Sequence, residues 1–239
     1  MRLFPATLVT LVMLPTFAVA QPAAPAGTPK SSAAIDLTGY WVAFVSEDWR
    51  FRMITPRKGD YQAVPMTQEA RKVADAWDPA ADEASGNQCK AYGAAAIMRV
   101  PARFHITWED DSTLRVDSDS GMQTRLLHFN SRLNSPAAPQ GERTWQGYST
   151  AEWERPASLK VATINMRGGY LRKNGVPYSE NAAVTEYFEI APHPSGGQVL
   201  LVTTIVTDPQ FLQQPFITSS QFKKEDGASK WDPTPCTAR

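Results

Sequence analysis

Charged side chains on strands that otherwise look buried are the residues of this chain that could carry chemistry. In the segment 182–190, alternate residues share one face of a predicted strand, and Glu186 shares its face with valine, phenylalanine and isoleucine. A carboxylate on an apolar face is uncommon unless a partner compensates its charge. We therefore expect Glu186 to be buried and paired with an arginine, either Arg125 or Arg50.

The same alternation places further polar groups beside apolar ones. The segment 49–54 reads as a strand in which apolar residues oppose arginines, and the segment 122–130 carries charged groups on both faces. The candidate ligand-binding residues are Arg50, Arg52, Arg125, His128, Trp145, Tyr148 and Glu186. Together they could form a polar pocket that orients an anionic or hydroxylated ligand, with guanidinium groups as anchors. An arginine–glutamate pair that only neutralises itself inside the fold is the open alternative.

The sequence contains no signature of a known reaction class. It has no Gly-x-Ser-x-Gly elbow, no HExxH, no phosphate-binding loop and no GxGxxG. The three histidines lie on separate segments, so no metal site is predicted, and no cofactor is predicted either. The sequence therefore assigns no catalytic residue and leaves enzymatic activity open.

Short alternating segments bounded by turn residues predict the elements that must position these groups. The predicted strands are 39–45, 49–54, 103–109, 113–118, 122–130, 145–153, 158–165, 182–190, 198–207 and 216–224. One helix is predicted over 67–77, where apolar residues recur at helical spacing. Many strands without alternating helices predict a mainly β fold, an antiparallel barrel or sandwich with one short helix.

The amino terminus has the pattern of an export signal. Within residues 1–20, Arg2 precedes an apolar run that ends in Ala18-Val19-Ala20, so cleavage after Ala20 is predicted. An uncleaved membrane anchor is the alternative. Residues 21–34 are rich in Pro, Ala and Ser and predict a flexible leader, followed by a single β-rich domain over 35–239. This organisation predicts a periplasmic or secreted protein.

The cysteines and the charge balance constrain the environment and the partners. An even number of cysteines in an exported chain predicts a disulfide between Cys89 and Cys236, with two reduced thiols as the alternative. The chain has 24 basic and 24 acidic residues, a balance that gives no electrostatic footprint for nucleic acid or an anionic membrane. No later segment has 18 consecutive apolar residues, so no membrane span is predicted in the mature chain. The oligomeric state is not predicted.

Two resemblances extend this reading. Gly39-Tyr40-Trp41 resembles the Gly-x-Trp signature of lipocalins, in which the tryptophan plugs the closed end of the barrel. This resemblance implies a calycin-like barrel. A longer pattern is similar to that of a group of functionally uncharacterised exported bacterial proteins, and it departs from theirs where Arg155-Pro156 replaces Gly-Asp. Its elements are Leu37, Gly39, Trp41, Cys89, Gly93, Met98, Pro101, Arg125, Trp145, Gly147, Tyr148, Ser149, Trp153, Glu154, 174–179, Glu186, Asp208, Pro209, Pro215 and Phe216. The resemblance implies a β-rich exported fold and no particular reaction.

Three functions from different classes fit these observations. The first is an exported β-barrel that binds a small, partly apolar organic molecule. The second is a periplasmic lyase, isomerase or hydratase with Glu186 or His128 as its acid–base group. The third is a structural envelope protein without a ligand. A deep cavity lined by the charged residues favours the first two, and a filled interior favours the third.

Overall fold

The main body of the protein is a closed β-barrel. The computed structural model describes residues 27–129, 141–154 and 156–239. Its strands are β1 (Gly39–Ala43), β2 (Arg103–Asp110), β3 (Thr113–Ser118), β4 (Gln123–His128), β5 (Tyr148–Glu154), β6 (Ser158–Ile164), β7 (Gly169–Arg172), β8 (Val176–Tyr178), β9 (Ala183–Pro192), β10 (Gln198–Thr207) and β11 (Phe216–Glu225). The barrel has the order β1-β11-β10-β9-β6-β5-β4-β3-β2, and β7 and β8 form a separate hairpin. The prediction of a mainly β fold with a barrel is confirmed.

Neighbouring strands of the barrel are antiparallel at every junction except one. Strands β4 and β5 run parallel and pair through Leu127 with Ser149 and His128 with Thr150. Parallel neighbours cannot be joined by a tight hairpin, and the connection between these two strands includes residues 130–140, which lie outside the described residues. The antiparallel prediction therefore holds for the rest of the barrel wall and fails at this junction.

Three short α-helices accompany the strands in the part of the chain that the structure describes: α1 (Trp49–Arg52), α2 (Gln68–Asp75) and α3 (Pro79–Ala84). Helix α2 confirms the helix predicted over 67–77. The hydroxyl of Thr67 caps it by accepting a hydrogen bond from the backbone of Ala70, which satisfies one of the free N–H groups at the helix start. Of the predicted apolar face, Ala70, Ala74 and Trp77 are buried, whereas Val73 is 40% exposed, so α2 packs through part of the face that its periodicity indicates.

The strand predicted over 49–54 is wrong, because α1 and a turn occupy these residues. Asp48 has a left-handed φ of 53° that redirects the chain, and the backbone N–H of Met53 donates to Trp49 O at 2.9 Å. A run of only six residues cannot fix a period of two against one helical turn. Trp49 and Met53 are consequently exposed and do not share the face of a sheet.

A layer of short elements packs against one end of the barrel. This capping layer consists of α2, the β7–β8 hairpin and the loops between them, and its apolar side chains join those at one end of β9, β10 and β11. The cluster contains Tyr61, Val64, Met66, Ala70, Ala74, Ala94, Ala95, Met166, Leu171, Val176, Tyr178, Ala182, Val184, Val206, Leu212 and Phe216. The β7–β8 hairpin was not predicted, because its two short strands are glycine- and proline-containing and show no alternation.

The opposite end of the barrel is covered by aromatic rings and by the start of the described chain. Trp108, Phe129 and Trp153 contact one another there. The indole N–H of Trp153 donates to Pro29 O at 2.8 Å, so part of the predicted leader contacts the barrel. The predicted signal peptide, its cleavage site and residues 21–26 lie outside the described residues. No helix in the described ranges is long and apolar enough to span a membrane.

The predicted disulfide is confirmed. Cys89 and Cys236 are bonded, with their Cα atoms 5.1 Å apart and 147 residues apart in sequence. The bond connects the segment after α3 to the C-terminal tail, whose Cys236 packs against the barrel core.

We expect the double variant Cys89→Ala/Cys236→Ala to have a free energy of unfolding about 3–5 kcal/mol below that of the wild type, because the disulfide restricts the unfolded chain through a long loop. Urea unfolding with and without dithiothreitol measures this difference. The reductant should lower the wild-type midpoint and leave that of the variant unchanged. Equal midpoints for wild type and variant under oxidising conditions contradict the prediction.

Candidate functional site

The pairing predicted for Glu186 is confirmed with Arg125 as its partner. Glu186 projects from β9 into the barrel and is 0% exposed, and Arg125 projects inward from β4. Two parallel contacts join them, from Nη2 to Oε2 at 2.6 Å and from Nη1 to Oε1 at 3.2 Å. This two-pronged geometry is the strongest arrangement of the two groups. Arg50, the other partner considered, is exposed on α1 and pairs with Asp60 at 2.7 Å.

Hydroxyl groups extend the buried pair into a polar layer of the barrel. Nη2 of Arg125 also donates to the hydroxyl of Thr163 at 3.3 Å, and that hydroxyl lies 2.8 Å from the hydroxyl of Ser149. Apolar side chains of the main core surround this layer, and neither Arg125 nor Glu186 lines any of the three cavities described below. The pair is fully buried and the two charges compensate each other, which favours a structural role for it.

The remaining candidates of strands β4 and β5 lie away from this interior. His128 and Tyr148 project outward, and their rings stack with centroids 5.0 Å apart. Burial lowers the pKa of His128 below its ordinary value. Trp145 precedes β5 and packs under the guanidinium of Arg167, which lies 4.5 Å from its ring centroid. The structure thus separates these residues from Glu186, and the seven candidates do not form one pocket.

Arg52 instead belongs to a site that the sequence did not reveal. A cavity of about 280 Å³ lies between α1, the turn Ile97–Arg99 and the end of β7, and we call it the arginine cavity. Its lining residues are Phe51, Arg52, Met53, Ile54, Thr55, Ala91, Ala96, Arg99, Val100, Pro101, Ser120, Leu171, Arg172 and Lys173. The three arginines of this lining are all buried, with exposures of 8% for Arg52, 6% for Arg99 and 3% for Arg172.

Two carboxylates face these three arginines. Asp48 lies 2.5 Å from Nη2 of Arg99 and 3.9 Å from Nη2 of Arg172. Glu47 lies 3.5 Å from Nη1 of Arg52. Three guanidinium charges against two carboxylates leave an excess of positive charge at the cavity.

The pKa values of two of these arginines are lowered by burial and by the neighbouring positive charge. Burial lowers the pKa of Arg172 to about 10, and the nearby charge of Arg99 contributes. Burial also lowers the pKa of Arg52, again with a contribution from Arg99. Both groups stay charged near pH 7, so the site holds like charges close together in a poorly solvated position.

Several nitrogens of these guanidinium groups lack hydrogen-bond acceptors. Nη1 and Nη2 of Arg52, and Nε and Nη2 of Arg172, have no hydrogen-bond partner among the described residues. Both carboxylate oxygens of Glu47 also lack one. Buried charged donors without acceptors are costly, and an anion in the cavity could supply those acceptors.

Backbone contacts hold the two under-coordinated arginines in place. Nε of Arg52 donates to Arg99 O at 2.9 Å, and Nη1 of Arg172 donates to Gln62 O at 2.7 Å. The guanidinium of Arg172 also lies over the ring of Phe51, 4.0 Å from its centroid. Each arginine therefore has one end fixed by a backbone carbonyl. A carboxylate lies 3.5 Å from Nη1 of Arg52 and 3.9 Å from Nη2 of Arg172, so a closer acceptor would improve the coordination of both groups.

A second cavity adjoins the first. It has a volume of about 520 Å³, lies beside β1, and shares Met53, Pro101 and Ser120 with the arginine cavity, and we call it the β1 cavity. Its other lining residues are Val42, Ala43, Val45, Ala102, Arg103, Asp119, Asp232 and Thr234.

A third cavity of about 320 Å³ lies beside the β7–β8 hairpin. At its edge, the buried carboxylate of Asp82 accepts hydrogen bonds from Lys90 at 2.5 Å and from Tyr170 at 2.8 Å. Burial and the neighbouring Asp82 raise the pKa of Tyr170. The acceptors and donors of this triad satisfy one another, so it has no evident free group. In the described part of the chain, no cluster of three or more His, Cys, Asp or Glu side chains could hold a metal ion.

Comparisons with protein-family models, with curated protein sequences and with solved structures gave no match in any of the three. The resemblance to a group of exported β-rich proteins therefore stays a prediction. Trp41 is buried inside the barrel, as the Gly-x-Trp pattern suggests. The barrel has nine strands, whereas lipocalin barrels have eight, so the structure gives the lipocalin resemblance no further support.

We expect Glu186→Gln to lower the free energy of unfolding by about 3 kcal/mol or more, because it leaves the guanidinium of Arg125 buried without a counter-charge. Glu189→Gln is the matched control, since Glu189 is an exposed residue of the same strand and its loss should change stability by less than about 0.5 kcal/mol. Chemical unfolding of both variants measures the difference. Equal stability of the two variants would show that the pair contributes little to the fold.

Proposed function

We propose that this protein binds a small, partly apolar organic molecule through an anionic group held in the arginine cavity. The observation that carries the proposal is the set of buried guanidinium nitrogens of Arg52 and Arg172 that lack acceptors at a cavity with excess positive charge. A guanidinium group donates two parallel hydrogen bonds to two oxygens of a carboxylate or a phosphate. The ligand class therefore follows from the charge and the geometry of the donors.

The energetics of the site support binding more than stability. Three neighbouring guanidinium groups lie at the cavity, and the two carboxylates that face them, Glu47 and Asp48, offset part of their charge. A bound anion would offset the rest of that charge, and the backbone contacts of Arg52 and Arg172 reduce the ordering that binding requires. Sites of this kind lower the stability of the free protein in exchange for affinity.

A structural role without a ligand is the second candidate function, because Arg125 and Glu186 are buried and compensate each other in the barrel interior. The enzyme hypothesis relied on Glu186 or His128, and these residues lie in the packed interior and on the outer face, so no observation favours it. Export stays a proposal that rests on the sequence of residues 1–20, and the disulfide is compatible with it.

We expect organic anions to raise the melting temperature of the wild-type protein and to leave that of Arg52→Gln unchanged. The probes are benzoate, hexanoate, acetate and inorganic phosphate, each compared with chloride at equal ionic strength. A ligand at 100 times its Kd stabilises the folded state by about 2.7 kcal/mol. Thermal unfolding followed by fluorescence measures the shift.

Arg50→Gln is the control for this experiment. Arg50 lies two residues from Arg52 on α1, but it is exposed and does not line the cavity. It should keep the full anion-induced shift. If no probe shifts the wild type more than chloride does, the binding proposal fails and the structural role is favoured. If both variants respond like the wild type, the anion binds elsewhere.

We also expect Arg172→Met to fold with stability equal to or about 1 kcal/mol above that of the wild type while losing the anion-induced shift. The substitution removes a buried charge that Arg99 disfavours, and Asp48 keeps its partner Arg99 in the variant, so no buried carboxylate is left without a counter-charge. Urea unfolding and the same thermal assay provide the two measurements. A loss of more than about 2 kcal/mol would assign Arg172 a structural role instead.

A further inference from the structure

We infer that the anion bound by Arg52 and Arg172 is one end of an amphiphile whose apolar part lies in the β1 cavity. This inference rests on the proposed function and goes further, because it specifies the rest of the ligand and the direction in which it lies. Three observations carry it: the adjacency of the two cavities, the apolar surface at their junction, and the distribution of charge along them.

The two cavities share a common wall. Met53, Pro101 and Ser120 line both of them, so the β1 cavity is the nearest space into which a molecule anchored at the arginines could extend. The combined space is larger than a simple anion needs. A ligand that used only the arginine cavity would leave the β1 cavity without a role.

The junction and the second cavity present apolar side chains. Met53 is 59% exposed and Ile54 is 67% exposed at the edge of the arginine cavity, which leaves apolar surface in contact with water beside a site for an anion. Val42, Val45 and Ala102 continue this surface in the β1 cavity. A hydrocarbon chain or ring that left the arginines in this direction would cover these side chains and gain the free energy of their burial.

The charges set the orientation of the ligand. The β1 cavity carries the carboxylates of Asp119 and Asp232 and one basic side chain, Arg103. Arg103 is already paired with Glu225 at 2.9 Å, so the lining of this cavity disfavours an anionic group. Asp119 already accepts hydrogen bonds from the backbone N–H groups of Arg103 at 2.8 Å and Ser120 at 2.6 Å, so it is not a free ligand-binding group. The anion therefore belongs at the arginines and the apolar part beyond Met53. The ligand class is a monoanionic amphiphile such as an alkyl or aryl carboxylate.

A chain-length series tests this assignment. The dissociation constants of acetate, butanoate, hexanoate and octanoate are measured by isothermal titration calorimetry with the full-length protein. Each methylene buried in an apolar environment contributes about a fourfold gain in affinity, so the constants should fall steadily along the series. Octanamide, which has the same chain without the charge, should bind at least tenfold more weakly than octanoate.

Val45→Glu places a carboxylate in the β1 cavity and should flatten the dependence on chain length. Ile217→Glu is the control, because Ile217 is an exposed aliphatic residue of β11 that lines none of the three cavities. It should keep the wild-type series. Met53→Glu is a second test variant at an already exposed position, and it should flatten the series even if Val45→Glu does not fold.

The outcomes separate this inference from the proposal on which it rests. Dissociation constants that do not change with chain length, but that Arg52→Gln raises at least tenfold, overturn the amphiphile and leave anion binding in place. A steep series that Val45→Glu and Met53→Glu leave unaltered also overturns it, because the chain then lies elsewhere. Absence of binding by every carboxylate overturns both.

Discussion

The contact between Arg125 and Glu186 is the constraint that the barrel must satisfy. The two residues project from β4 and β9, which are separated in the wall by β5 and β6, and they meet in an interior from which water is excluded. In a poorly polarisable environment, each charge is tolerable only with the other in contact. A one-residue shift in the register of β4 would turn Arg125 outward and leave the buried carboxylate of Glu186 without a counter-charge. The pair therefore fixes which face of β4 points inward, and with it the register of the neighbouring strands.

The chain uses buried arginines in two opposite ways. Arg125 contacts a single glutamate through two hydrogen bonds. Its Nη2 atom also donates to the hydroxyl of Thr163. Arg52, Arg99 and Arg172 meet two carboxylates among three guanidinium groups, and several of their nitrogens have no acceptor. Nε of Arg125 also lacks an acceptor, but Glu186 accepts from both of its Nη atoms, whereas carboxylates lie 3.5 Å from Arg52 and 3.9 Å from Arg172. This difference supports our proposal that the interior pair is structural and that the arginine cavity binds a ligand.

The sequence predicts the barrel and its interior pair well, because long strands carry a period-two signal. Glu186 lies on a ten-residue strand whose alternation identifies its buried face without ambiguity. The arginine cavity could not be predicted in the same way. The six-residue segment 49–54 predicts a strand where the structure has a helical turn. The pattern therefore places Arg52 at a buried position for the wrong reason. Arg99 lies in a single turn and Arg172 in a four-residue strand, and segments this short carry no periodicity that indicates a face. Their meeting is a property of the tertiary fold alone.

The parallel junction between β4 and β5 gives the barrel a seam. Among the described residues, two pairs join these strands, whereas seven join β5 to β6 and ten join β9 to β10. We expect local opening of the barrel wall to begin at a junction held by so few hydrogen bonds. Arg125 on β4 reaches Glu186 behind this junction, so the ion pair acts as an internal latch that resists separation of the two edges. The amide protons of β4 would then exchange with solvent sooner than those of β9. The strength of the ion pair would determine how often the barrel wall opens locally at this junction.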